Sequence, residues 1–181
     1  MACLLGCETV GMRVLFASTR GAGHFNPLVP FVDACLRRGH EALVAGPPWL
    51  AGAVESAGYE FWLFDDPPED ELAEVWARVP SLSPDEQNAV VIGDIYARLD
   101  ATASLPGLRR ACAEWEPDVV VREPNEYGSA VAAELYEIPH ARVAIGLCQM
   151  EELALRCAAH AVDLLRGCPT GGRVLMGRWS T

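Results

Sequence analysis

The chain of 181 residues contains no lysine: all its basic residues are arginine, and they are outnumbered by Asp and Glu, for a formal net charge of −11. An acidic chain without a basic cluster is a poor ligand for a phosphate backbone, so no nucleic-acid partner is expected. No apolar run approaches the roughly 18 residues that a transmembrane helix needs. The opening MACLLGCETVG lacks the positive stretch and long apolar core of a secretory signal. The expectation is a cytoplasmic chain without a membrane span, in which residues 1–11 form a disordered extension ahead of a natural start at Met12. No CxxC pair occurs among the seven cysteines, Cys3, Cys7, Cys35, Cys112, Cys148, Cys157 and Cys168. Their odd count and wide spacing predict neither a disulfide framework nor a metal site; several fit apolar helix faces as free thiols. Internal repeats and low-complexity tracts are also missing.

What is present is a core. Hydrophobic residues make up 51% of the chain, which excludes a disordered protein. The length suits one domain. Its organising stretch is Ser18–Pro30, STRGAGHFNPLVP, fed by the hydrophobic run Arg13–Ala17 and followed by an amphipathic pattern with Leu28, Phe31, Val32, Cys35 and Leu36. That combination predicts a buried parallel strand, a glycine turn and a helix. Asn26 is expected as the helix N-cap, with Pro27 at the first helical position.

The pattern then repeats. Gly39 ends the helix, 42–45 reads as a second strand, 49–57 as a short helix, and the aromatic segment 59–64 as a third strand. The acidic stretch DDPPEDELAE is expected to be solvated surface at a helix N-terminus, with attraction of a cationic substrate as the less favoured reading. Ser83-Pro84-Asp85-Glu86 is a capping box opening a helix with Val91, Ile95 and Leu99 on one face. Pro106 is expected to interrupt it, with Leu108 to Trp115 continuing as a second segment. A fourth strand over 118–122, a helix over 126–136, a fifth strand over 140–145 and a last helix over 151–166 complete the reading. Residues 167–181 show no periodicity and are expected to be an irregular, truncated tail. The fold class is α/β, a Rossmann-like doubly wound parallel sheet in a single domain, 12–166.

Chemistry is sought where such sheets put it, at the carboxyl ends of the central strands. In the order 3-2-1-4-5, strands 1 and 4 are neighbours, and the turns above them hold His24 and Glu123. A carboxylate beside an imidazole fixes its tautomer and stabilises the imidazolium, which makes a general base for a hydroxyl. On spacing alone this reading and that of a turn histidine bonded to backbone stand level. His40, His140 and His160 read as structural. A dinucleotide site is rejected: Gly21-Ala22-Gly23 begins a GxGxxG, but Asn26 replaces the third glycine, and Ala45-Gly46-Pro47 stands where the ribose-binding acid belongs.

The segment MRVLFASTRGAGHFNPLVPFVDACLRRGHE, with its GHxxP and RGHE, resembles the opening of GT-B glycosyltransferases of the family-1 type, most nearly the bacterial natural-product sugar transferases. PDVVVREPNEYGSAVAAELYEIPHARV is similar to the later part of the same N-terminal domain. The resemblance covers roughly residues 12–166. It implies that His24 removes a proton from an acceptor hydroxyl, and that an acid after the fourth strand pairs with it. Glu123 fills that place here, where the family mostly carries aspartate. It further implies inverting transfer of a sugar from a nucleotide diphosphate to a small-molecule acceptor. The donor would be a substrate bound mainly by a second domain, which this sequence does not include, and no cofactor is implied. The chain is expected to be inactive alone.

Gly21 and Gly23 are expected to let the loop backbone approach a substrate. Phe25, Asn26, Phe64 and Asn125 are candidates for the pocket wall. The alternatives are a non-catalytic module that binds an acceptor or assembles with a separate donor-binding half, and a product without function of its own.

Overall fold

A computed structural model describes residues 11–146 and 148–166; the expectations for residues 1–10 and for the tail lie outside them. Five parallel strands form one sheet: β1 (Arg13–Ala17), β2 (Glu41–Gly46), β3 (Glu60–Leu63), β4 (Val119–Arg122) and β5 (His140–Arg142), in the order β3-β2-β1-β4-β5. This is the expected doubly wound topology, with β1 and β4 adjacent at the switch point. Their register pairs Ala17 with Arg122, so the residues that follow each strand emerge side by side.

Alternation along the strands builds two cores. Leu15, Ala17, Leu43, Ala45 and Val120 face one layer of helices, and Val14, Phe16, Ala42 and Val44 face the other. The second layer is α2 (Val29–Arg37) and α3 (Ala51–Ser56); the first is α6 (Ala101–Trp115), α7 (Gly128–Leu135) and α8 (Cys148–Arg166). Burial of this apolar surface is the main force holding the layers together. The stripe of α2 is narrower than its spacing suggests: Leu28 and Val32 are buried, whereas Phe31 and Leu36 are exposed.

Three local expectations are corrected. First, Asn26 is not a helix N-cap but the C-cap of α1 (Ala22–Phe25). The chain already turns helical there, and Asn26 stays helical with its N–H donating to the Ala22 carbonyl. Gly21, at φ 110°, makes the sharp entrance that a side chain would resist, and α2 starts only at Val29 with Pro30 in its first turn. Second, Pro106 does not break the helix. From α5 (Pro84–Val90), through a π-helical stretch Val91–Asp100, to the end of α6, the chain stays helical. The proline ring faces solvent while Leu105, Leu108, Ala111 and Cys112 are buried on the other side. That burial outweighs the roughly 3 kcal/mol that an interior proline costs. Third, β5 ends at Arg142, although the Val143 N–H still donates to the Arg122 carbonyl.

The acidic stretch opens α4 (Glu69–Arg78), with Glu69, Asp70 and Glu71 in its first turn, as the dipole favours. The capping box at Ser83 and Glu86 is formed. No described helix is long and apolar enough to cross a membrane.

Candidate active site

The two turns above β1 and β4 meet. His24, in the last turn of α1, directs Nδ1 at Glu123 Oε2, 3.0 Å away. Glu123 is fully buried, yet its carboxylate is well supplied with donors. The Thr19 hydroxyl reaches Oε1 at 2.9 Å, and the Asn125 N–H reaches Oε2 at 2.8 Å. A buried carboxylate so satisfied is held in one orientation. It accepts the Nδ1 proton of His24 and leaves Nε2 as the basic nitrogen of the neutral ring.

Opposing effects act on the His24 imidazole. Burial pulls its pKa down, but the hydrogen bond to Glu123 and the negative charges of Glu123 and Asp100 outweigh it, and the net direction is upward from 6.5. The charge of Glu123 thus favours the protonated ring, against the pull of burial. The Tyr96 hydroxyl stands 3.4 Å from Nε2, its ring tilted over the imidazole at 5.5 Å between centroids. Burial, followed by the charges of Glu123 and Asp100, raises the Tyr96 phenol, so it remains protonated and able to donate.

The turn carrying Glu123 has its own clamp. Arg122, at the end of β4, is fully buried, and its Nη1 donates to the carbonyls of Glu123, Pro124 and Glu126 at 3.1, 3.0 and 3.2 Å. Its guanidinium also lies over the Tyr127 ring, 5.7 Å from the centroid. Burial pulls the Arg122 pKa down, and the neighbouring Glu126 opposes that.

Beside the pair lies a polar recess, bounded by Thr19 and Arg20 above β1, Phe64 and Asp66 above β3, Asp100 at the end of the π-helical stretch, Ser104 on α6 and Glu126. Arg20 bonds Asp66 at 2.8 Å and lies 3.7 Å from Asp100. Glu126 accepts from the Ser104 hydroxyl at 3.1 Å and from the Ser129 N–H at 2.7 Å. Among the described residues, no cluster of His, Cys, Asp or Glu has the arrangement of a metal site.

The expected site residues therefore divide. His24 and Glu123 meet, and Asn125 supports Glu123 through its backbone N–H. A side chain at Gly21 would touch the His24 ring, whereas one at Gly23 would meet nothing. Asn26 is exposed. Phe25, at 3% exposure, packs in the core with Phe16, Leu28 and Val32, away from the recess. Phe64 is also a core residue, though it borders the recess. Thr19, Tyr96, Asp100 and Arg122 were not anticipated from the sequence; the only signal for Tyr96 and Asp100 was their i,i+4 spacing on one helix.

Comparison with known proteins agrees with this architecture. A family profile described as "Erythromycin biosynthesis protein CIII-like, N-terminal domain" matches residues 34–164. The L-demethylnoviosyl transferase of Streptomyces niveus is 32% identical over 154 residues, covering 84% of this chain and 39% of that protein. The erythronolide mycarosyltransferase of Saccharopolyspora erythraea is 31% identical over 166 residues, covering 75% and 37%. The chain thus spans about two fifths of the length of these curated relatives. Among solved structures, the glycosyltransferase SsfS6 of Streptomyces sp. SF2575 superposes with a TM-score of 0.68 at 22% identity, over 85% of this chain and 46% of that one. The glycosyltransferase SnogD of Streptomyces nogalater gives 0.64 at 23% identity, over 91% and 43%. At these identities the likeness is one of fold.

Proposed function

The chain belongs to the family of erythromycin biosynthesis protein CIII-like N-terminal domains, the N-terminal domain of natural-product GT-B glycosyltransferases, and from that premise we propose that it is the acceptor-binding half of an inverting sugar transferase with His24 as general base. The observation that carries the proposal is the 3.0 Å contact between His24 Nδ1 and the buried Glu123 carboxylate. With Nδ1 committed to Glu123, Nε2 takes the proton of an acceptor hydroxyl. The resulting oxygen nucleophile attacks the anomeric carbon of the donor sugar from the face opposite the nucleoside diphosphate, which leaves with the bonding electrons. The carbon is thereby inverted. Glu123 stabilises the imidazolium and holds the ring in place.

The donor half of the site is assigned to a second domain. SsfS6, similar in fold, has been solved in complex with thymidine diphosphate, which makes a thymidine diphosphate sugar a reasonable donor to test. Proton abstraction without a positioned donor gives no transfer, because positioning supplies much of the rate. Transfer is accordingly expected only when a donor-binding half is present.

The test is to mix the chain with the separately produced C-terminal half of the Streptomyces niveus relative, a thymidine diphosphate sugar and a panel of hydroxylated small molecules that includes erythronolide, 10-deoxymethynolide and aklavinone, named for similar transferases. Glycosylated product is followed by mass spectrometry. Chain-dependent product is expected, and His24→Ala should lower its rate about 100- to 10,000-fold while the fold persists. A variant as fast as the parent would remove His24 as base. No product from a donor half shown to bind nucleotide would favour a non-catalytic acceptor-binding module.

A further inference from the structure

The recess beside the catalytic pair is built to accept hydrogen bonds and has almost nothing to donate. The Thr19 hydroxyl spends its proton on Glu123, and the Ser104 hydroxyl spends its proton on Glu126. Both oxygens are left with lone pairs only. The single cationic side chain among the residues that line the recess, Arg20, is drawn to Asp66.

Asp100 is the group left over. Its side chain is nine-tenths buried, at 10% exposure, and neither carboxylate oxygen has a hydrogen-bond partner among the described residues. Arg20 lies 3.7 Å from Oδ1, an electrostatic contact too long for a hydrogen bond. A buried carboxyl group with no donor is costly, so native structures seldom keep one without a reason. Asp66, Glu123 and Glu126 add negative charge around it.

We propose that this recess is a subsite for the protonated primary amine of an acceptor molecule, with Asp100 as its counter-ion and the Thr19 and Ser104 oxygens as further acceptors for its N–H groups. The argument for a cation is the local charge: Arg20, the one cation of the lining, is paired with Asp66, while burial holds Asp100 and Glu126 toward the neutral form, and an ammonium would favour their carboxylates. The argument for a primary amine is size. The recess admits about one water-sized group, which fits an ammonium head but neither a guanidinium nor a quaternary ammonium. Phe64 forms an apolar wall for the carbon bearing the nitrogen. The proposal rests on the acceptor-binding reading for the molecule to which the amine belongs, but not for the binding itself.

Asp100 gives the binding a pH signature. Burial, aided by Asp66, Glu126 and Glu123 and opposed by Arg20, pushes its pKa up to about 7. Amine binding requires the carboxylate, so it strengthens as pH rises through that value and fades only when the amine loses its own proton.

The experiment uses the whole chain and two probes of equal shape, benzylamine and benzyl alcohol, titrated while backbone amide signals are followed by NMR. Benzylamine should move the signals of Thr19, Arg20 and Ser104, more strongly at about pH 8 than at about pH 6. Benzyl alcohol should leave them in place. Asp100→Asn, which preserves shape and removes charge, should weaken benzylamine binding at least about ten-fold. A direct carbon-13 titration of the Asp100 carboxyl in the parent chain, with and without benzylamine, gives a readout free of any folding defect; its midpoint should fall when the amine is present.

Equal responses to the two probes, an unmoved Asp100 midpoint, or shifts confined to the exposed acids at the start of α4 would each overturn the subsite. None of these outcomes bears on whether the chain supports sugar transfer with a donor half, so the two readings fail separately.

Discussion

Replacing Arg122 by Met tests whether the turn that carries Glu123 is held by the buried guanidinium. Methionine keeps most of the apolar stem but removes the nitrogen that donates to the carbonyls of Glu123, Pro124 and Glu126. A hydrogen bond from a charged donor contributes about 1.5–3 kcal/mol, and a buried carbonyl left unpaired costs a similar amount. The three bonds share one nitrogen and do not add. The variant also escapes the cost of burying a guanidinium, which offsets part of the loss. The balance resembles breaking a buried charge network by removing one member, which costs about 3–5 kcal/mol. For a chain of this size each kcal/mol lowers Tm by about 2–4 °C, so Arg122→Met should melt roughly 6–20 °C below the parent. Urea denaturation followed by circular dichroism supplies the free energy, and differential scanning calorimetry supplies Tm. A loss below about 1 kcal/mol would show that the turn keeps its shape without the clamp, and the reasoning would fail.

Two further outcomes follow from neighbouring residues. Asp100 is raised from 3.8 to about 7 in the folded chain, so the folded state holds this proton more tightly than the unfolded one and loses stability as pH climbs between those values. Asp100→Asn should remove that decline and make the variant more stable than the parent at about pH 8, as measured by urea melts across pH; an unchanged slope would contradict the burial argument. Gly128 starts α7 against α6, where an added Cβ would collide with Ser104 Oγ and stand 3.0 Å from Glu126 Oε1. Gly128→Ala should therefore cost about 1–3 kcal/mol by overpacking; a neutral result by the same denaturation assay would mean that α6 and α7 can separate freely.

The sheet was legible because its signals are local and repeated. Each apolar run from Arg13, Glu41, Glu60 and Val119 ends in a turn, and the right-handed winding of β-α-β units leaves few strand orders. The order then places His24 beside Glu123 without any side-chain information. What the sequence hid depends on tertiary context. Asn26 and Pro27 have the residue types of a helix start, but Gly21 turns the chain into helix five residues earlier. Pro106 reads as a break, yet its ring points to water and its neighbours are anchored in the core. Arg122 was legible only as the end of the fourth strand; its burial depends on three carbonyls of the following turn, which accept from its guanidinium.

Tyr96 and Asp100 were hidden for another reason. The apolar stripe Val91, Ile95 and Leu99 reports the side of the helix facing the core, and the wider winding of the π-helical stretch changes which other residues share a face. The polar pair that turns toward the ends of the strands has only its i,i+4 spacing, which many surface pairs share. Such stretches recur at functional sites, in keeping with the place of this one beside His24.

The central claim is that Glu123 holds the His24 imidazole with its proton on Nδ1 and its lone pair on Nε2. Nitrogen-15 NMR of the histidine side chains reads this directly in the intact chain. The account predicts a neutral His24 whose Nδ1 carries the proton, and a titration midpoint that falls in Glu123→Gln, where burial is opposed only by the weaker influence of Asp100. A His24 ring protonated on Nε2 when neutral, or a midpoint indifferent to Glu123→Gln, would contradict it.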